Sequence, residues 1–381
     1  MGSTDRPKLF ILPELIPALL MLPPVGSSPA EYWVAEGRRA AARDLLRRLL
    51  ALDSVEQVLV LAAEQNDRDD LADLGGTPLI IPQGQFHFGH MLAHIVEEGD
   101  YQRFAYFGGG SAPLMTTDLL LQAFDRTLSA ERPVAVVNNY HSSDWVVLNH
   151  AQSLLPLAAR LPTDNPLGWV LDHEAGFDVH ALPPSAATRN DIDTPTDILI
   201  LLHHPNIGTD LREFLAQAPR EWMTRIDNLR KVMNTPASTL TLIGRASSHV
   251  WQTLERKTQI WVRAFVEERG MVASGRVARS EVRSLIGEVL DIWGAQTFVE
   301  YLSSLSDAIL WDTRVWMAHR GKWPSTADRF ASDLGWVDQV EDSALRDLTQ
   351  AINQASIPIV VGGYGVVSGG VYAMLEVLEG G

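Results

Sequence analysis

Short apolar runs alternate with amphipathic stretches through the first half of the chain. Five runs predict buried strands, at residues 18–22, 58–62, 79–81, 103–107 and 134–137. Three stretches between them predict helices, at residues 36–52, 91–98 and 117–128. Strands that are apolar throughout are covered on both faces, so the pattern predicts a three-layer α/β domain with a mostly parallel sheet. Ligands of such sheets bind at the carboxyl ends of the strands, in the loops 23–29, 108–113 and 138–144.

The pattern changes after position 205. Residues 212–232 predict one helix, and tryptophan becomes more frequent beyond it. Near the end of the sequence, residues 357–378 predict a strand, a glycine-rich turn and a helix. We therefore expect a first domain at 1–205, a helical connection at 206–235, and a second domain at 236–381 that is α/β or mainly helical.

Composition narrows the class of protein. The 381 residues are 46% hydrophobic and 20% charged, which is typical of a folded protein with room for two cores. A formal net charge of −16 leaves no broad basic surface, so we expect no nucleic-acid partner. The absence of cysteine excludes disulfides, thiolate nucleophiles and cysteine metal sites.

An apolar stretch near the start raises the question of export. Residues 9–22 are largely apolar, but Pro13, Glu14 and Pro17 interrupt them. These residues suit neither the core of a signal peptide nor a membrane-spanning helix. We expect a cytoplasmic protein without a membrane partner, with an export signal as the minor alternative.

Three carboxylates stand together in TRNDIDTPTD, residues 188–197, directly before an apolar run. Thr194 can cap a helix that begins at Pro195, and the charge of Asp197 complements the positive helix end. Asp191 and Asp193 alternate with an isoleucine, so in an extended segment they share one face and can converge on a divalent cation or a polyphosphate. The alternative is a capped helix whose aspartates satisfy only backbone groups.

The DIDTPTD segment resembles the end of the nucleotidyltransferase domain in a GT-A-like group of enzymes. This group includes the molybdenum cofactor guanylyltransferases and, nearest, the 2-phospholactate and phosphoenolpyruvate guanylyltransferases. The resemblance implies a nucleotide-diphospho-sugar transferase type of fold over residues 9–202. It also implies Mg²⁺-assisted transfer of a nucleotidyl group from an NTP to a small phosphorylated acceptor. Asp191 and Asp193 would then be metal ligands, joined by Asp144 of NNYHSSDW.

The resemblance also assigns nucleotide and phosphate contacts, with two departures from the group's pattern. The first loop lacks the expected basic residue, for which Arg38 and Arg39 are the nearest candidates, and the turn after 107 lacks the expected metal-binding aspartate. Alternatives are an ordinary turn at Gly108–Ser111 and a metal site at His87, His90 and His94. The expected contacts are Gly26, Ser27, Ser28, His87, Gly89, His90, Gly108, Gly109, Gly110 and Ser111.

The second domain offers further candidate anion sites. Arginines flank a loop with glycine and serine, RGMVASGR, and another arginine lies among aspartates and tryptophans. The final turn has the spacing G-x-G-x-x-x-G, which suits an anion loop or close packing. The arginines can equally be paired with nearby acids. The candidates are Arg269, Arg276, Arg279, Arg314, Gly363 and Gly365.

Three hypotheses of function follow. The leading one is a transferase that acts on an NTP or another small phosphorylated ligand with Mg²⁺, at Asp191 and Asp193. The second is a non-catalytic scaffold of the same fold that binds a ligand or a protein partner. The third and weakest places the chemistry among the arginines and aspartates of the second domain.

Overall fold

The computed structural model describes residues 15–80 and 86–379. Its first half forms a seven-stranded sheet in the order β3-β2-β1-β4-β6-β5-β7. Strand β6 is antiparallel to both neighbours and the other pairs are parallel, which confirms the mostly parallel sheet. The strands are β1 (Ile16–Leu22), β2 (Val55–Ala62), β3 (Thr77–Pro78), β4 (Arg103–Gly108), β5 (Val134–Val137), β6 (Trp145–Asn149) and β7 (Asp178–Ala181).

Helices cover both faces of this sheet and confirm the three layers. Leu20, Val60 and Phe107 face one core, whereas Leu19 and Phe104 face the other, as expected for strands buried on both sides. The helices are α1 (Pro29–Leu50), α2 (Gln65–Asp73), α3 (Phe88–Glu98), α4 (Thr117–Leu128), α5 (Leu167–Ala175), α6 (Ala186–Arg189) and α7 (Pro195–Ile200), with a 3₁₀ segment at Ala151–Arg160.

The second half contains a smaller, wholly parallel sheet in the order β11-β10-β8-β9. The α/β alternative for the second domain is therefore confirmed over the mainly helical one. Its strands are β8 (Thr239–Gly244), β9 (Trp261–Val266), β10 (Ala308–Asp312) and β11 (Ile359–Gly362). The remaining helices are α8 (Thr209–Ala216), α9 (Arg220–Met233), α10 (Ser248–Lys257), α11 (Leu285–Trp293), α12 (Ala295–Ser304), α13 (Arg314–His319), α14 (Thr326–Leu334), α15 (Ser343–Gln354) and α16 (Gly369–Glu379).

Several element boundaries differ from the sequence predictions. Helix α1 begins before residue 36 because Ser28 caps it, and the helix predicted at 212–232 is two helices, α8 and α9. Strand β6 was not predicted. The strand predicted at 79–81 is a short pairing at Thr77–Pro78, and Ile81 lies outside the described residues. The apolar stretch at 9–22 also begins outside them. No helix in the described ranges is both long and apolar enough to cross a membrane.

Apolar packing joins the two sheets, although the division at 205 and 236 stays a prediction. One continuous cluster of buried residues includes Leu20 of β1, Leu240 of β8 and Val360 of β11. Helix α16, the last described element, packs back against α6 and α7. The second sheet therefore helps to bury the segment that carries the aspartates.

A glycine-rich turn makes a close part of the contact between the halves. We call the packing of Gly362–Gly370 against Arg189–Ile200 the clasp. A Cβ atom placed on Gly365 would overlap the Asp197 carboxylate, and one on Gly369 would overlap the Arg189 carbonyl group. Thr196 Oγ1 also donates a hydrogen bond to the Val361 carbonyl oxygen at 2.7 Å. Close packing thus accounts for Gly365, and Gly363 lies against Thr194 in the same way.

Gly369→Ala tests the clasp. The added methyl group meets backbone atoms that cannot move aside alone, so we expect a loss of about 2–4 kcal/mol in the free energy of unfolding. Gly176→Ala is the control, because nothing lies near that position and its φ of 69° costs alanine only about 1 kcal/mol. Urea denaturation measures both, and equal losses in the two variants would contradict the tight contact.

Candidate functional site

The aspartate segment is an extended stretch that leads into a capped helix. Asp197 Oδ2 accepts hydrogen bonds from the Thr194 amide at 2.7 Å and from Thr194 Oγ1 at 2.8 Å, which confirms the predicted start of α7 at Pro195. The Ile192 amide donates to the Gly110 carbonyl oxygen at 2.9 Å. This bond ties the stretch to the loop after β4, at the carboxyl edge of the first sheet.

Four carboxylates influence one another at this edge, and we call Asp144, Asp164, Asp191 and Asp193 the acid cluster. Burial raises the pKa of Asp144 to about 8, and the charges of Asp164 and Asp193 act in the same direction. Burial, Asp193 and Asp144 raise the pKa of Asp191 well above its usual value. Because each charge disfavours the others, the cluster favours any bound cation.

Hydrogen bonds fix two members of the acid cluster in place. Asn138 Nδ2 donates to Asp144 Oδ2 at 2.5 Å, and Asn138 Oδ1 accepts from the Asp144 amide at 2.9 Å. The hydroxyl of Tyr106, in the second half of β4, donates to Asp164 Oδ2 at 2.9 Å. Burial raises the pKa of Asp164, and this hydrogen bond opposes the effect. The side chains of Asp144 and Asp164 are therefore positioned by the first sheet itself.

Two arginines supply the positive charge nearest the acid cluster. Arg38 Nε of α1 donates to the Ile192 carbonyl oxygen at 2.7 Å, and the charge of its guanidinium opposes the rise in the pKa of Asp191 caused by burial. The charge of Arg189 opposes the rise in the pKa of Asp144 in the same way. Arg38 therefore reaches the site, whereas Arg39, the other basic candidate from the sequence, forms an ion pair with Asp67 instead.

Asp193 differs from the other three because its carboxylate is 74% exposed. Its backbone carbonyl oxygen accepts a hydrogen bond from Arg38 at 3.2 Å. Asp191, by contrast, is half-buried beside Asp144. The two aspartates that the sequence treats alike thus lie in different environments, and Asp191 is the better placed of the two to act jointly with Asp144.

The carboxylate of Glu31 binds the backbone amides of the first loop. The amides of Ser27 and Ser28 donate to Glu31 Oε2 at 3.1 and 3.0 Å, and Ser28 Oγ accepts from the Glu31 amide. A Cβ atom on Gly26 would overlap the same glutamate side chain. The amides expected to hold phosphate are therefore already bonded to a carboxylate. The Ser-x-x-Glu spacing is the sequence signal of this capping box, and the sequence interpretation missed it.

The glycine turn after β4 packs mainly against backbone. A Cβ atom on Gly109 would lie 2.7 Å from the Met21 carbonyl oxygen, and one on Gly110 would lie 2.7 Å from the Ile192 carbonyl oxygen. The Ser111 hydroxyl donates to the Gly108 carbonyl oxygen at 2.8 Å. An ordinary tight turn accounts for these residues, and only Gly108 is half-buried beside the Tyr106 hydroxyl.

The histidine segment begins α3 beside the acid cluster. His87 Nδ1 accepts from the His90 amide at 3.4 Å and caps the helix, while Gly89 packs closely against the 3₁₀ segment. The Phe88 ring contacts Tyr106 edge-on at 4.9 Å, which places the helix start near Asp164. Within residues 15–80 and 86–379, no three His, Asp or Glu side chains are arranged to hold a metal by themselves, at this segment or elsewhere.

Acids pair with three of the four candidate arginines in the second domain. Arg276 pairs with Glu268 at 3.0 Å and Arg279 with Glu281 at 2.8 Å. Arg314 is buried and donates two hydrogen bonds to Asp333, at 2.7 and 2.5 Å. The ion-pair alternative therefore accounts for these arginines. The fourth, Arg269, is exposed and accepts a hydrogen bond from Arg276 through its carbonyl oxygen.

Sequence reasoning missed Asp164, Arg189 and Tyr106. Tyr106 lies in the apolar run of β4, two residues before the strand ends, where a polar atom near the carboxyl edge is a signal that was available. Arg189 stands directly before the aspartates, but its surroundings come from the second half of the chain. Asp164 lies in a loop whose sequence carries no motif.

Comparisons with known proteins find likeness only among solved structures. No protein-family model matches the chain, and no curated protein matches it. A cytidylyltransferase from Leptospira borgpetersenii is 16% identical, with a TM-score of 0.40 over 53% of this chain and 93% of its own. A CMP:2-keto-3-deoxy-manno-octonic acid synthetase complexed with CTP is 11% identical, with a TM-score of 0.33 over 44% of this chain and 89% of its own.

A third similar structure extends further along the chain. The mannose-1-phosphate geranyltransferase from Thermus thermophilus is 12% identical, with a TM-score of 0.28 over 66% of this chain and 90% of its own. None of the three is described as a guanylyltransferase.

The pH dependence of stability tests the acid cluster. Because the folded state raises the pKa of Asp144 from 3.8 to about 8, folding takes up a proton between these values, and stability falls as pH rises from about 4 to about 8. Asp144→Asn removes this uptake. Asp144 is partly exposed, so solvent screening reduces the effect. Over that pH interval, we expect the free energy of unfolding to fall by about 1–2 kcal/mol less in the variant than in the wild type.

Urea denaturation at pH 5 and pH 8 measures this difference. Asp125→Asn is the matched control, since Asp125 is an exposed residue on α4, away from the acid cluster. Equal pH dependence in the wild type and in Asp144→Asn would contradict the electrostatic description of the site.

Proposed function

We propose that the protein transfers a nucleotidyl group from an NTP to a small phosphorylated acceptor, assisted by Mg²⁺, at the acid cluster. The observation that carries this proposal is the mutual repulsion of half-buried carboxylates at the carboxyl edge of the first sheet. A divalent cation relieves such repulsion directly. The location is also where parallel α/β sheets bind their ligands.

The donor set suits Mg²⁺ bound together with a phosphorylated ligand. Magnesium prefers oxygen ligands and commonly takes one or two carboxylates, with phosphate oxygens and water completing its shell. Asp191 and Asp144 would supply the two carboxylates, and Asp193 would bind through water or at the rim, because its side chain is largely exposed. This arrangement agrees with the lack of a cage of three or more side chains among the described residues.

Each group of the chain has a definite part in this reaction. The acceptor phosphate attacks the α-phosphorus of the NTP and pyrophosphate leaves, so alignment and neutralisation of charge dominate catalysis. Bound Mg²⁺ would supply charge to the phosphate oxygens. Arg38 fixes the backbone by donating to the carbonyl oxygens of Ile192 and Asp193. Asn138 orients the Asp144 carboxylate through a hydrogen bond. These two are positioning residues.

A ligand-binding scaffold without catalysis is the second candidate function. It is favoured by Glu31, whose carboxylate occupies the amides of the first loop, where a triphosphate would otherwise bind. Triphosphate binding at that loop requires Glu31 to move away. Pyrophosphate release separates the two functions: a transferase releases it from one NTP with a phosphorylated acceptor, whereas a scaffold binds the ligand without release.

A thermal-shift screen tests the proposed function. The protein is heated with GTP, CTP, ATP or UTP, each with Mg²⁺ or with EDTA. A nucleotide at 100 times its Kd adds about 2.7 kcal/mol to the free energy of unfolding, which is readily measured. We expect one nucleotide to stabilise the protein only with Mg²⁺, and the absence of any Mg²⁺-dependent shift would refute the proposal.

Single aspartate variants show which carboxylates act with the cation. Asp191→Asn should abolish the Mg²⁺-dependent shift, because it removes a half-buried ligand. Asp193→Asn should reduce the shift less, since that carboxylate is largely exposed, and Asp125→Asn should leave it unchanged. An Asp191→Asn variant that keeps the full shift would contradict the assignment of this residue.

A further inference from the structure

Arg189 is a half-buried arginine at the start of the aspartate segment. It ends α6 two residues before Asp191, and its side chain is half-buried. Among the described residues, its guanidinium finds neither a hydrogen-bond acceptor nor an ion-pair partner. Burial lowers the pKa of Arg189, and the nearby groups of Tyr364, Tyr372 and Asp144 oppose this effect. A half-buried cation of this kind can hold an anion where further hydrogen-bond donors lie beside it.

Tyr364 offers a second donor close to Arg189. It follows β11, is half-buried, and its hydroxyl forms no hydrogen bond with any residue that the structure describes. The ring is fixed from one side by the Arg245 guanidinium, 5.3 Å from the ring centroid. Arg245 is itself fixed by Asp312, with Nε 2.5 Å from Oδ2. The ring is therefore supported while its hydroxyl stays free.

The topology of the second sheet also indicates a ligand-binding position near Tyr364. From β8 the chain goes to β9 on one side of the sheet and to β10 and β11 on the other. Ligands of open parallel sheets bind outside the carboxyl ends of the strands where this direction changes. Arg245 follows β8, and Asp312 ends β10. The Arg245–Asp312 pair that supports Tyr364 therefore stands at the switch point.

Asn190 adds an independent observation next to Arg189. Asn190 is only 3% exposed, and neither its Oδ1 nor its Nδ2 has a hydrogen-bond partner in the described part of the chain. Buried amides without partners are rare, because each lost hydrogen bond is costly. Such a group marks a place where water or a ligand completes the bonding. Unsatisfied polar groups thus flank the start of the aspartate segment.

We propose that Arg189 and Tyr364 form a subsite for the phosphate group of the acceptor, on the side of the acid cluster that faces the second sheet. A guanidinium binds phosphate through paired N–H groups, and a phenol hydroxyl adds a third hydrogen bond. The identity of the ligand as the acceptor rests on the proposed function. The binding of a phosphate group at this place does not.

Calorimetric titration with inorganic phosphate tests the subsite on the full chain, in EDTA and without nucleotide. We expect Arg189→Gln to weaken phosphate binding by about tenfold or more and Tyr364→Phe by about threefold. Arg230→Gln is the matched control, because Arg230 on α9 is also half-buried without a side-chain partner among the described residues. It should leave the Kd unchanged.

Two further measurements make the test decisive. Arg189→Lys keeps the charge but loses the paired geometry, so it should bind phosphate with an affinity between those of the wild type and Arg189→Gln. Thermal denaturation of each variant checks that it is folded. An unchanged Kd in Arg189→Gln, an equal loss in Arg230→Gln, or no phosphate binding by the wild type would overturn the subsite.

A titration in saturating nucleotide and Mg²⁺ distinguishes the two sources of phosphate. If Arg189 serves the acceptor, phosphate binds beside the nucleotide with the same dependence on Arg189. Competition between the two would assign Arg189 to the triphosphate of the donor and overturn an acceptor subsite. If no nucleotide binds, the proposed function fails, while Arg189-dependent binding of phosphate in EDTA still supports the subsite.

Discussion

The clasp is the contact on which the rest of the site depends. Glycines of the turn Gly362–Gly370 approach the segment Arg189–Ile200 so closely that no side chain fits between them. That segment carries Asp191, whose charge is opposed by Asp144 and Asp193. Electrostatics alone would therefore move it away from the sheet edge, and packing must keep it there. Arg38 holds the segment from the first half, and the glycine turn holds it from the second.

Opposite charges lie at the two ends of one short segment. The four carboxylates of the acid cluster face only the nearby charges of Arg38 and Arg189 among the residues described, whereas the Arg189 guanidinium has no ion-pair partner among them. A complex of Mg²⁺ with a phosphorylated molecule carries both charges and would satisfy both ends at once. The acid cluster and Arg189 both come from the first half of the chain, and the second half adds the Tyr364 hydroxyl. The proposed site therefore draws on both sheets.

Features that depend on neighbouring residues, such as strands and helix starts, were predictable from the sequence. Contacts between residues far apart in the chain were not. The apolar runs predicted four strands of the first sheet, β1, β2, β4 and β5, and Thr194, Pro195 and Asp197 predicted the start of α7, because these features depend on neighbours in the chain. The bond between Tyr106 and Asp164 joins residues 58 positions apart. The spacing around Gly365 left an anion loop and close packing both open, and the packing partner, Asp197, is one that only the fold brings close. Glu31 was within reach of sequence reasoning, since its capping box is local.

The clasp also constrains the order of folding. Its bond from Thr196 to Val361 joins residues 165 positions apart, and Ala186 bonds to Glu376 over 190 positions. Closing so long a loop is entropically unfavourable and slow, so such contacts form late. During synthesis, the first sheet emerges and can begin to pack well before the glycine turn leaves the ribosome. The aspartate segment then reaches its final position only after translation has passed β11. The first sheet can therefore form on a nascent chain before the site is complete.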